Sequence, residues 1–113
     1  MKTLTIHYDP YIKYNLYPDA KAMAFAEREV DSFNLVKDGE VFSKQIISIS
    51  QEIIFQAFRV LIKRGKLSHE EVNFSWIEND QLVTTTCDKD AGFITYPPIG
   101  NELDLMLCEL LEV

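Results

Sequence analysis

Residues 50–65 constrain this chain more than any other stretch, because most of the circumference of the helix they spell is apolar. Glu52, Gln56, Arg59 and Lys63 recur at steps of three and four. At about 100° per residue they share one strip roughly 60° wide. Ile53, Ile54, Phe55, Ala57, Phe58, Val60, Leu61 and Ile62 fill the rest. A surface helix carries an apolar stripe, whereas this one carries a polar stripe. Cover is therefore expected on more than one side, from a sheet plus another helix or from a second subunit.

The remaining elements follow from period and punctuation. Thr3 to Tyr8 alternates, with Leu4, Ile6 and Tyr8 on one side and Thr3, Thr5 and His7 on the other, which predicts a strand ended by Asp9-Pro10. Pro18 suits the first position of a helix running to about Ser32, with Ala22, Phe25, Ala26 and Val30 on its apolar face. Residues 33–37 and 41–50 flank Asp38-Gly39, a two-residue hairpin signal. Ser48 or Ser50 is expected to cap the central helix, Gln51 completing a capping box on Ser48, and Gly65 suits its C-cap. A second hairpin is expected, with Val72, Phe74 and Trp76 inward, Asn79-Asp80 turning, and residues 82–87 returning. After an irregular stretch, Asn101 caps a last helix with Leu103, Met106, Leu107, Leu110 and Leu111 as its apolar set.

The expected fold is a single α+β domain spanning residues 1–113. Its sheet is mainly antiparallel, with β-α-β-β-α-β order, a ferredoxin-like variant carrying an extra strand and a C-terminal helix. At 113 residues the chain can bury about two-thirds of its unfolded surface, and nothing repeats along it. No apolar run approaches the ~20 residues of a membrane helix, and the first residues do not read as a signal peptide. Two cysteines, Cys87 and Cys108, fit a reduced compartment, so a cytoplasmic location is expected. The net charge of −7 argues against nucleic acid as a partner, because duplex binding relies on Lys and Arg neutralising phosphates. An acidic surface that imitates nucleic acid needs ordered carboxylates, which sequence does not show.

Candidate chemistry is sparse. His7 and His69 have no ligand at metal spacing, and Asp88 to Gly92 fails the calcium-loop pattern, with Gly92 fifth and Ile99 twelfth. Cys87 and Cys108 read as structural thiols. There is no glycine-rich phosphate loop and no nucleophile elbow, so no catalytic residue, cofactor or metal is expected. Tyr8, Tyr11, Tyr14 and Tyr17 recur every third residue, and an extended conformation with three residues per turn would line them on one edge. Aromatic rings in that position would suit a protein partner, although rings that seal the sheet edge and one helix are the more ordinary case. Phe55, on the wide apolar helix, is a further candidate contact. Glu109 and Glu112 sit at the negative end of the last helix and call for a cation, supplied by Lys63–Lys66 or by a partner.

From residue 45 to 93 the order of features resembles the C-terminal region of bacterial OLD-like and RecF-like AAA ATPases. The run is Gln45-Ile46-Ile47-Ser48-Ile49-Ser50, a long helix, Arg64-Gly65-Lys66-Leu67-Ser68, Val72-Asn73-Phe74, a hairpin, then Asp88 to Gly92-Phe93. Under half the chain is covered. Neither a Walker A loop nor a Walker B acid lies within it, and Ser50-Gln51 lacks the histidine such ATPases often place there. The resemblance implies an accessory or imitator of such ATPases, of the kind phages and mobile elements encode.

The expected function is that of a small acidic, non-enzymatic interaction protein, homodimeric or bound to another protein through the apolar helices and the tyrosine loop. The alternative is a small-ligand binder or enzyme with a composite pocket, lined by His7, Tyr11, Tyr14 and Trp76. Nucleic-acid mimicry is a third reading.

Overall fold

Thr3–Tyr8 forms β1 as its alternation requires: Leu4 and Ile6 are fully buried while Thr3, Thr5 and His7 point to the opposite side. The computed structural model describes residues 2–13, 16–37 and 43–93. Beyond β1, Pro18 precedes a 3-10 turn, Asp19–Lys21, that leads into helix α1, Ala22–Leu35. Ala22, Ala26, Val30 and Phe33 are buried at helical spacing. At its C-terminus the Lys2 ammonium meets the Phe33 carbonyl at 3.2 Å and lies 4.7 Å from the centre of the Phe33 ring. A cation there answers the negative end of the helix dipole.

Strand β2 is Lys44–Ile49, helix α2 is Glu52–Lys63, and β3, Val72–Glu78, forms a hairpin with β4, Gln81–Thr85. Asn79 and Asp80 turn that hairpin with φ of +52° and +62°, as the sequence predicts. The strands lie in the order β2-β1-β3-β4, with β1 parallel to β2 and to β3, and β4 antiparallel to β3. Both helices pack against each other and on one face of the sheet, where Leu4, Ile6, Ile49, Val72 and Phe74 meet Phe33, Phe55 and Phe58.

The result is one compact α+β domain, but its strand plan corrects the expected one. Phe33 does not start a strand. It lies three residues beyond Val30 and seven beyond Ala26, so it extends the buried stripe of α1, and the helix runs on to Leu35. The gain from burying that ring outweighs its β propensity. With residues 33–35 in α1, one strand separates the helices among the described residues. The order becomes β-α-β-α-β-β, and the sheet is mixed rather than mainly antiparallel. The extra strand is present as β4. Asp38-Gly39 and the expected C-terminal helix fall outside the described residues.

Helix α2 also differs at its start and in its cover. Its N-cap is Gln51, with no side-chain cap bond, and Ser48 is part of β2. Its end follows the sequence: Gly65 adopts φ +78°, with Lys66 N–H donating to Leu61 O and Gly65 N–H to Ile62 O, a Schellman motif. Sheet, α1 and residues 87–93 cover Ile54, Phe55, Ala57, Phe58, Leu61 and Ile62. Ile53 and Val60 stay 42% and 37% exposed beside the polar ridge. A single chain thus supplies most of the cover, and wrapping α2 does not call for a second subunit. Among the described residues, no helix is long and apolar enough to cross a membrane.

Candidate functional site

The two central strands end out of step, and that creates a notch. In the β1–β3 register Tyr8 stands opposite Trp76, so β3 runs two residues further, to Glu78, before turning into β4. Beyond Tyr8 the chain bends away toward β2: Asp9 N–H donates to Ile49 O, and the Asp9 carboxylate accepts from Tyr11 N–H at 3.0 Å. The projecting hairpin and the departing loop enclose a cleft of about 510 Å³, within the range of small-molecule sites. His7, Asp9 and Tyr11 line it from the β1 side, and Trp76, Asn79 and Asp80 from the β3 side. A second recess at the end of β2 holds about 150 Å³, too small for most metabolites.

Three of the four residues expected around a composite pocket, His7, Tyr11 and Trp76, are therefore brought together. Tyr14 lies outside the described residues. Asp9, Asn79 and Asp80 were legible only as a strand stop and a turn, because the β1–β3 register that gathers them is a long-range property. Trp76 is 1% exposed, and its indole N–H finds no acceptor among the described residues. A buried donor left in this state retains an unmet demand worth roughly 1–3 kcal/mol.

On the far side of the sheet His7 Nδ1 lies 2.7 Å from Ser75 Oγ, and one step along the same strands Thr5 Oγ1 donates to Asn73 Oδ1 at 2.7 Å. A serine beside a histidine is half of a nucleophile–base arrangement. Ser75, however, is buried in the middle of β3, between β1 and β4, so the strand amides around it serve the ladders. Among the described strand residues no pair of free N–H groups is left there to stabilise an oxyanion. The pair fixes the imidazole at the mouth of the cleft.

The three described tyrosines of the series, Tyr8, Tyr11 and Tyr17, do not form one edge. Tyr8 is half-buried, its ring edge-on to Phe55 at 6.4 Å, and burial together with the nearby Glu52 charge raises its hydroxyl pKa. Tyr17 packs on Phe25 at 4.6 Å, leaving Tyr11 exposed at 84%. Phe55 has no exposed surface, so it is a core residue and cannot touch a partner. The physical reason is the nearest apolar cover: Tyr8 finds it on α2 and Tyr17 on α1, while Phe55 faces Phe74 and Phe93. Glu109 and Glu112 lie outside the described residues.

Cys87 is buried, and that burial, with the Asp88 charge, raises its thiol pKa against an opposing pull from Arg59. Asp88 organises the turn that follows, accepting from Asp90 N–H at 2.8 Å and Gly92 N–H at 2.9 Å. Those two bonds hold its carboxyl below the ordinary carboxylate range. Among the described residues, no group of three or more His, Cys, Asp or Glu side chains is placed to hold a metal ion.

Comparison with protein-family models, curated proteins and solved structures gave no match. The cleft is the structural basis for a functional reading.

Proposed function

We propose that this protein binds a small amine-bearing molecule in the notch between the ends of β1 and β3. The observation that carries this reading is the meeting of His7, Tyr11 and Trp76 with two carboxylates, Asp9 and Asp80, around one cleft. Its position also supports it. From β1 the chain leads to the β2 edge of the sheet, and from β3 to the β4 edge. Where neighbouring strands lead off in opposite directions, their carboxyl ends leave a crevice, the usual ligand position in open α/β sheets.

The lining points to a chemical class. Two carboxylates favour a cation, and the exposed Tyr11 ring offers it an aromatic face. The polar side chains of His7 and Asn79 in the lining favour a ligand that also carries a carbonyl or carboxylate oxygen. A small amino acid or amide-bearing amine has both groups.

Trp76 is the sole tryptophan, so its fluorescence reports on this cleft directly. Titration with lysine and lysinamide should give a saturable change in emission and a rise in Tm that follows RT ln(1 + [L]/Kd). Asp80→Asn should weaken both. Equal, non-saturating responses to the amines and to glutarate would defeat the reading.

A second reading, an accessory or inhibitor-type interaction protein, has a different support: Ile46, Ile77 and Leu82 stand exposed on the sheet side away from the helices. Pull-down with Leu82→Glu as the negative control tests it.

A further inference from the structure

Among the described residues nothing covers the side of the sheet turned away from α1 and α2. Strand alternation places Thr3, Thr5 and His7 of β1 on this side. From β2 it adds Lys44, Ile46 and Ser48, and from the hairpin Asn73, Ser75, Ile77, Leu82 and Thr84. Several of them line a shallow depression of about 480 Å³. Strands with parallel neighbours are normally covered on both faces, and β1 has parallel neighbours on both sides. Here its outward side chains Thr3, Thr5 and His7 are only partly buried, and Ile46 on the neighbouring β2 is 73% exposed.

Charge distinguishes this face from the rest of the chain. Eighteen acidic residues against eleven basic ones give −7, yet no Asp or Glu is among the residues just named. Its polar groups are also partly satisfied from within, through the Thr5–Asn73 and His7–Ser75 pairs. Covering it would therefore remove apolar side chains from water without stranding those four.

We infer that this face joins two copies of the chain in an isologous, sheet-on-sheet dimer. Two chains of net charge −7 repel each other on average. On this face they approach with no Asp or Glu among the strand residues that meet, while a strongly charged partner finds little complementary charge on it. In such a contact the sheets pack about 10 Å apart with strands within about 30° of each other, the aliphatic side chains of one copy filling the depression of the other. A ligand in the notch is no premise for this dimer, although the face shares His7 and Ile77 with the notch.

Sedimentation equilibrium and light scattering on the full chain, from micromolar to millimolar concentration, test this. The expected result is a monomer–dimer equilibrium that tightens as salt rises, because salt screens the repulsion between two −7 chains. Ile46→Glu and Leu82→Glu, both at exposed positions, should each raise the dimer Kd at least about tenfold. Ile53→Glu, on the exposed strip of α2, should leave it unchanged. A chain that stays monomeric throughout overturns the inference, as does a dimer that weakens with salt. So does a dimer that both substitutions leave intact while circular dichroism shows them folded.

Discussion

The Gln51 side chain grips the Tyr17 backbone twice: its Oε1 accepts from Tyr17 N–H at 2.8 Å, and its Nε2 donates to Tyr17 O at 2.7 Å. The loop leaving β1 is thereby tied to the start of α2. Gln51→Ala strands a backbone donor and an acceptor in a partly buried place, at a cost of about 1–2 kcal/mol. Thermal denaturation should show a Tm lower by several degrees. Gln51→Glu keeps the acceptor and loses the donor, so its Tm should lie between the two.

Phe55 and Ile53 sit two positions apart on α2 with opposite fates. Phe55 has no exposed surface, whereas Ile53 is 42% exposed. Phe55→Ala should cost about 3–5 kcal/mol, close to the whole stability of a small domain. Ile53→Ala should cost under about 1 kcal/mol. Urea midpoints for the two variants give the comparison, and equal midpoints would mean that α2 presents a different face to the core.

A Cβ added at Gly65 would meet nothing within 4 Å, so Gly65→Ala isolates the cost of φ +78° itself. That cost is about 1 kcal/mol. The same substitution tests the Schellman motif: amide exchange at Lys66 should quicken in the variant.

Burial raises the Cys87 thiol pKa, so folding favours its neutral form. The stability this contributes is complete below the unfolded thiol pKa of about 8.5 and is lost as pH rises through the higher folded value. Urea midpoints should therefore fall more steeply above pH 8.5 than in Cys87→Ala. In a Cys108→Ser background, iodoacetamide should label Cys87 slowly until the protein unfolds.

Trp76 is 1% exposed. Its emission should be blue-shifted relative to the unfolded chain and resist acrylamide quenching. Efficient quenching in the native state would place the ring outside the interior.

Local rules made much of this fold legible. Alternation placed Leu4 and Ile6 inward, Asn79-Asp80 turned the second hairpin, and Gly65 ended α2. Phe33 was misread because a phenylalanine followed by residues 34–37 satisfies both a strand pattern and one more helical turn, and only the surface of the core decides between them. The candidate site was half visible: His7, Tyr11 and Trp76 carry suggestive chemistry, but Asp9 and Asp80 gained theirs from position.

The sequence by itself determined which residues seek burial and where the chain turns, because period, glycine and capping act over a few residues. Tertiary structure decided that β1 lies between β2 and β3, that β3 outruns it to open a notch, and that, among the described residues, one sheet face is left uncovered with no carboxylate on its strands. Those outcomes rest on pairing between strands some 70 residues apart (Thr5 with Asn73, His7 with Ser75), and no local pattern encodes a register of that range.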